Sequence, residues 1–172
     1  ERVVAVAPGP PGNIQPEANV IEETDDEVVV ESFGMTRRLS RDRVYAGGIE
    51  FVRHKLIGKS TRFPEDALEM YAGQVAGVPP RLLMERQNIG GSQLKIENLS
   101  AFDGLKVLVF TGELDTDHPK DIDSAVVDWL IDAGAQAEFW WLPDRGTTGN
   151  GHMLMMEDNS DDLADMIIGW VG

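Results

Sequence analysis

Residues 105–143, LKVLVFTGELDTDHPKDIDSAVVDWLIDAGAQAEFWWLP, decide the fold of this chain. The run LKVLVFTG predicts a buried strand that ends at Gly112, because a continuous apolar run is typical of a parallel sheet. A helix is predicted next, with Pro119 near its start and Gly134 as its stop. The aromatic run AQAEFWWLP predicts another strand, bounded by Pro143. Strand, helix and strand in this order indicate a right-handed crossover between parallel strands.

The two ends of the chain extend the same pattern. Residues 159–171, NSDDLADMIIGWV, predict a closing helix with Asn159 or Ser160 as its N-cap. The apolar run Val3–Ala7 predicts a strand buried on both faces of the sheet. Such a strand rarely opens a domain, because one of its edges would have nothing to pair with. It is an edge strand, the start of a trimmed chain, or part of a sheet completed by upstream sequence or a second chain.

The composition bounds the classes of function. The chain has 172 residues and a formal net charge of -15, from 30 acidic and 15 basic residues. So acidic a chain repels phosphate backbones and anionic lipid surfaces, which argues against nucleic acid or membrane partners. There is no cysteine, which excludes disulfides and thiolate metal sites. No apolar run reaches the roughly 18 residues that a membrane span needs, and nothing in the sequence identifies a cellular compartment.

The sequence divides into three segments. Residues 1–16 form the first strand and a turn-rich exit, and residues 105–172 form an α/β segment. The residues between them, 17–104, are predicted to be mainly helical and amphipathic. Within them, residues 61–77 (TRFPEDALEMYAGQVAG) have the proline and the early acidic residues of a helix start. The acidic run 22–27 is predicted to be a solvated loop or a helix start.

Candidate chemical groups follow the strands of the predicted sheet. Asp115 and Asp117 come just after one strand, and His152 comes after the next. Ligands gather at the carboxyl ends of parallel strands, so an acid and a histidine from these two loops are expected to meet there. Such a pair fixes the tautomer of an imidazole that activates a nucleophile. The Gly149–Gly151 segment allows a sharp turn into a cleft, although a loop histidine is as often purely structural.

Other candidate sites are weaker. His54 is predicted to cap a helical face, and His118 to mark a helix entry, with a role in lining the site as the alternative. A metal site is not predicted, because Asp115, Asp117, His118 and Asp121 have no second cluster at ligand spacing. The run DTDHPKD lacks the glycine of a calcium loop, and IGKST lacks the earlier glycine of a phosphate loop. No cofactor is predicted.

Several motifs together resemble the C-terminal part of α/β-hydrolase-fold enzymes. They are VLVFTGELDTDHP followed by a helix, GAQAEFWWLP, GNGHM and NSDDLADMIIGWV, and the resemblance covers residues 105–172. RVVAVAPGPPG resembles the family strand that follows the nucleophile elbow. The resemblance implies that residues 17–104 are the cap of such an enzyme.

The resemblance also implies roles for individual residues. Asp115 is the acid of a catalytic triad, with Asp117 as the runner-up, and His152 is the general base. Pro10, Pro11 and Met153 are implied to line the substrate pocket. The Gly-x-Ser-x-Gly turn that carries the nucleophile in this fold is absent from all 172 residues. The nucleophile is therefore expected on an N-terminal partner chain, produced by proteolytic cleavage.

Three functions are consistent with this sequence. The first is the C-terminal chain of a heterodimeric hydrolase that cleaves an ester, a lactone or a related small acyl compound. The second is an epoxide hydrolase or dehalogenase, in which the partner chain supplies an aspartate nucleophile. The third is a non-catalytic binding protein on a degenerate hydrolase scaffold.

Overall fold

A three-stranded parallel sheet is the centre of the first of two units in this protein. The structure, a computed structural model, describes residues 1–32, 35–45 and 47–172. The first unit comprises Glu1–Gly9, Gly48–Gln74 and Asn98–Gly172, and the second comprises Pro10–Gly47 and Val75–Glu97. Residues 33, 34 and 46, which fall within the predicted cap, lie outside the described residues.

The sheet of the first unit has the strand order β1-β5-β6. The three strands are β1 (Arg2–Val6), β5 (Lys106–Thr111) and β6 (Gln136–Trp141). All pairs are parallel, with Arg2 opposite Lys106 and Lys106 opposite Gln136. The sheet therefore has the predicted number of strands and the predicted parallel direction, which makes the unit mixed α/β and compatible with part of a larger α/β fold.

Two long helices cover this sheet. Helix α4 (Lys120–Asp132) connects β5 to β6 and packs against both strands. Helix α5 (Ser160–Val171) closes the chain and buries Leu163 in the core. That core also contains the buried side chains Leu108, Phe110, Trp140, Leu142 and Leu154. Side chains alternate along β5, so Leu108 and Phe110 point to the face covered by α5, whereas Val107 and Val109 point to the other face.

Shorter helical segments complete the first unit. Helix α1 (Ile49–Phe51) continues as a π-helical turn over Val52–Ile57, and α2 spans Leu68–Ala72. Single 3₁₀ turns lie at Glu65–Ala67, Leu99–Phe102, Leu142–Arg145 and Leu154–Met156. The helix predicted over residues 61–77 is thus shorter than expected and ends before Gly73.

The second unit contains an antiparallel meander. Its strands are β2 (Asn19–Glu23), β3 (Glu27–Ser32) and β4 (Met35–Ser40), in the order β2-β3-β4. Helix α3 (Pro80–Arg86) belongs to the same unit, and a 3₁₀ turn at Ile89–Gly91 follows it. The buried core consists of Ala18, Val28, Val30 and Leu39, with Met84 and Ile89 packed against it.

The meander is a feature that the prediction of mainly helical structure for residues 17–104 did not include. Residues 19–23, 27–32 and 35–40 are strands, and the acidic run 22–27 ends β2, makes a turn and begins β3. The physical reason lies in Val28–Val30: three β-branched residues favour a pleated surface, and Val28 and Val30 both point into the core. Residues 48–74, which the sequence assigned to the cap, fall in the unit of the parallel sheet. Within the described residues, no helix has the length and apolarity needed to cross a bilayer.

Candidate functional site

The loop between β5 and α4 holds Asp115 in a fixed orientation. The Oδ1 atom of Asp115 accepts hydrogen bonds from the backbone N–H groups of Asp117, at 2.8 Å, and His118, at 2.9 Å. The side chain of Asp115 is fully buried. A buried carboxylate needs such partners, because burial without them costs several kcal/mol. These two bonds leave Oδ2 free to accept from a further donor.

That donor is the imidazole of His152. Its Nδ1 lies 2.9 Å from Asp115 Oδ2. The side chain of His152 is 23% exposed, in contrast to the fully buried carboxylate. Nε2 of this ring has no hydrogen-bond partner among the described residues. The structure therefore brings the predicted acid and the predicted base together, with one ring nitrogen tied to the acid and the other available.

Two hydrogen bonds from backbone N–H groups join the loop of His152 to the loop of Asp115. The N–H of Leu114 donates to the carbonyl of Asn150 at 2.9 Å, and the N–H of Gly149 donates to Glu113 Oε1 at 2.8 Å. The loops approach so closely that a Cβ on Gly112 would lie 2.5 Å from the carbonyl oxygen of Asn150. Only glycine fits at residue 112 without displacing the histidine loop.

A buried carboxylate, Glu157, holds the histidine loop from its other side. Its oxygens accept hydrogen bonds from Ser60 Oγ at 2.5 Å, Asn150 Nδ2 at 2.5 Å and the N–H of Gly151 at 2.7 Å. Asn150 also exchanges hydrogen bonds with the side chain of Asn159. These residues are structural supports of the loop. The sequence does not reveal Ser60, because it is 97 residues from Glu157, and it does not reveal Glu157, because its contacts depend on the path of an irregular loop.

The runner-up acid, Asp117, has a different partner. Its carboxylate pairs with Lys55 Nζ, from the π-helical turn of the same unit. Its backbone N–H is one of the two donors to Asp115. Asp115 and not Asp117 thus contacts the ring of His152.

The residues predicted to line a substrate pocket are divided between the two units. Met153 is half-buried in the first unit, where its Sδ accepts a hydrogen bond from Tyr71 Oη at 3.4 Å. Burial raises the pKa of the Tyr71 hydroxyl. Pro10 and Pro11 belong to the second unit, where the carbonyl of Pro10 accepts from Gln93 Nε2 at 2.7 Å. Their part in substrate binding remains a prediction.

The other two histidines differ in environment. His54 is exposed and lies 3.2 Å from Glu50, one helical turn away. His118 is buried, and its ring stacks on that of His152. The sequence identified His118 mainly as a helix-entry residue, because the contact with His152 depends on tertiary structure alone. In the part of the chain that the structure describes, no three His, Asp or Glu side chains are grouped to hold a metal ion.

Comparisons with known proteins complete the description of the site. No protein-family model matches the chain, and no solved structure matches it. One curated relative, described as "Probable secreted lipase phiG" from Fungal sp. (strain ATCC 74256), is 33% identical over 76 residues. The match covers 44% of this chain, and the chain spans about a fifth of the length of that relative (20%). This chain is therefore similar, over part of its length, to part of a protein described as a lipase.

Proposed function

We propose that this chain is the acid-and-histidine part of a hydrolase that cleaves an ester, a lactone or a related acyl compound. His152 is the general base, Asp115 orients it, and the nucleophile comes from outside these 172 residues, on an N-terminal partner chain. The observation that carries the proposal is the 2.9 Å contact between His152 Nδ1 and Asp115 Oδ2. The likeness to a protein described as a lipase supports hydrolysis as the class of reaction.

The proposed mechanism assigns one task to each ring nitrogen of His152. Nδ1–H donates a hydrogen bond to Asp115 Oδ2 and keeps its proton, so the neutral ring has its lone pair on Nε2. Nε2 takes the proton of the nucleophile's hydroxyl group as its oxygen attacks the acyl carbon, and passes that proton to the leaving group. In the second half of the reaction Nε2 takes a proton from a water molecule whose oxygen attacks the acyl carbon. The bond between that carbon and the nucleophile's oxygen then breaks, and Nε2 returns the proton to this oxygen. The buried carboxylate stabilises the imidazolium that forms in each half.

The different exposures of the two side chains support this division of roles. Asp115 is fully buried and its oxygens are occupied by His152 and two backbone N–H groups, so it cannot meet a substrate. His152 is partly exposed, so its free nitrogen is accessible to an incoming group. Met153, held by Tyr71, is proposed as part of the acyl-binding surface next to the base, since thioether side chains adapt to varied apolar ligands.

Two observations support an external nucleophile. The sequence contains no Gly-x-Ser-x-Gly turn. Among the described strands, β1 is at one end of the parallel sheet and pairs with β5 alone. A further strand parallel to β1 would bring its own carboxyl end to the edge of the sheet where Asp115 and His152 lie. We propose that the nucleophile follows such a strand.

The proposal is tested on the natural protein, purified with any polypeptide that accompanies it. A serine-directed fluorophosphonate is expected to label a serine outside these 172 residues, and mass spectrometry of the labelled peptide identifies it. His152→Ala is expected to lower hydrolysis of p-nitrophenyl esters at least about 10³-fold and to abolish labelling. His54→Ala is the matched control, since His54 is exposed and pairs with Glu50 one helical turn away, and it should leave both readouts unchanged.

Each part of the proposal has its own contrary outcome. If turnover survives His152→Ala, His152 is not the general base. If the protein is active but is not labelled, its nucleophile is a group other than serine, as in an epoxide hydrolase or dehalogenase. No acyl hydrolysis by the natural protein favours a binding function. An intact mass that places the labelled serine on the same polypeptide as His152 rules out a separate partner chain.

A further inference from the structure

A second imidazole–carboxylate pair lies directly against the pair described above. His118 Nδ1 is 3.2 Å from Asp123 Oδ1, and the side chains of both residues are buried, His118 at 7% exposure and Asp123 at 0%. The mechanism proposed above uses neither residue. The two side chains satisfy each other's hydrogen bonds inside the protein, so the fold holds a second ring at a defined place beside the first pair.

The second pair is anchored to the scaffold at two points. His118 precedes Pro119, the residue before α4, and Asp123 lies in the first turn of that helix. The other oxygen of Asp123, Oδ2, accepts a hydrogen bond from Thr111 Oγ1 at the end of β5. Asp123 is thus fixed by its place in α4 and by Thr111 of β5, and its Oδ1 holds Nδ1 of the His118 ring.

The ring of His118 lies parallel to the ring of His152. Their centroids are 5.1 Å apart and their planes differ by 8°. The backbone N–H of His118 also donates to Asp115 Oδ1 at 2.9 Å. A single residue therefore contacts both members of the first pair, the base through its ring face and the acid through its main chain.

We propose that His118 is a positioning residue for His152. Its ring face prevents the imidazole of His152 from turning away from Asp115, and Asp123 and Thr111 hold His118 in place. This inference rests on the proposed function for its effect on turnover, but the orientation of the His152 ring can be measured without any reaction. An apolar aromatic ring at residue 118 should perform the same task, whereas a flexible chain of similar volume should not.

Two double variants distinguish the effect of the aromatic ring at residue 118 from the effect of the charge on Asp123. His118→Phe with Asp123→Asn keeps an aromatic face, and His118→Met with Asp123→Asn fills the volume without one; both lack the same carboxylate. Nitrogen NMR of the side chain of His152 in the natural protein is expected to report the Nδ1–H tautomer, bonded to Asp115, in wild type and in the Phe variant. The Met variant is expected to show a mixture of tautomers. Its kcat for p-nitrophenyl esters should fall about tenfold with KM within twofold, while the Phe variant stays within about threefold of wild type.

The outcomes are distinguishable from those that bear on the proposed function. An unchanged tautomer in the Met variant, or an equal loss in both variants, overturns the positioning role even if the protein is an active hydrolase. A shifted tautomer in the Met variant alone supports the role even if no ester is cleaved. A measurement on the wild-type protein does not depend on whether a variant folds. Cross-relaxation between ring protons of His118 and His152 is expected in its NMR spectra, and the absence of this signal overturns the inference.

Discussion

At the scale of single residues, the geometry of the β5–α4 loop separates two aspartates that the sequence could only rank. Asp115 Oδ2 contacts His152, whereas the carboxylate of Asp117 pairs with Lys55. Asp115→Asn is therefore expected to lower kcat/KM for an acyl ester at least about 10³-fold, because an amide in this place favours the wrong imidazole tautomer. Asp117→Asn should lower it less than tenfold, since it removes only an ion pair with a partly exposed lysine. Steady-state kinetics on both variants tests this, and a reversed order would exchange the two assignments.

Tyr71 gives a prediction about alkaline pH. Burial raises the pKa of its hydroxyl in the folded protein, whereas in the unfolded chain it titrates near the usual value of about 10. The contribution of this hydroxyl to the free energy of unfolding is fully present below its pKa in the unfolded chain. It is lost as the pH rises through its pKa in the folded protein. Urea unfolding midpoints are therefore expected to fall less steeply above pH 10 for Tyr71→Phe than for wild type. Parallel curves for the two proteins would show that the environment of this hydroxyl does not disfavour its ionisation.

At the scale of structural elements, the histidine loop depends on Glu157. Three donors converge on this carboxylate, which is 2% exposed. Glu157→Gln replaces an acceptor with an NH₂ group that faces the same donors. The free energy of unfolding is expected to fall by about 1.5–3 kcal/mol, the range for hydrogen bonds to a charged group. Chemical denaturation measures this loss.

The adjacent residue is the matched control for Glu157. Asp158 is also a carboxylate, but its side chain is 61% exposed and pairs with Arg62 at the surface. Asp158→Asn should change stability by less than about 0.5 kcal/mol, because an exposed ion pair contributes little. Equal effects of the two substitutions would mean that Glu157 is not the support of the loop.

The elements also show how far the sequence can be interpreted. The strands β1, β5 and β6 were predictable because their apolar runs are bounded by glycine and proline, which mark where a strand must end. The meander was not, because its β-branched run Val28–Val30 is short and flanked by acidic residues typical of an exposed loop. Its strands are stabilised by pairing and by a small shared core, neither of which a local pattern displays.

The same distinction applies to the candidate site. The carboxyl ends of parallel strands lie along one edge of the sheet, which made the meeting of Asp115 and His152 predictable. The stacked ring of His118 and the support from Glu157 were not predictable. These contacts depend on side-chain directions at helix starts and in an irregular loop, and residue spacing does not determine those directions.

At the scale of the whole molecule, the net charge of -15 is the dominant electrostatic feature. Excess like charge destabilises a compact state through self-repulsion, and salt screens this repulsion. The screening length falls from about 30 Å at 0.01 M salt to about 3 Å at 1 M. The melting temperature at pH 7 is therefore expected to rise when sodium chloride is increased between these limits.

The same salt step at a second pH separates charge repulsion from other effects of salt. The isoelectric point of the sequence is about 4.4, so near that pH acidic and basic charges balance. Salt then has little net repulsion to screen, and it weakens surface ion pairs such as that between Arg53 and Glu65. The rise in melting temperature should vanish or reverse there. An equal rise at both pH values would attribute the stabilisation to exclusion of salt from the protein surface. A fall at pH 7 would mean that ion pairs outweigh the repulsion among the acidic side chains.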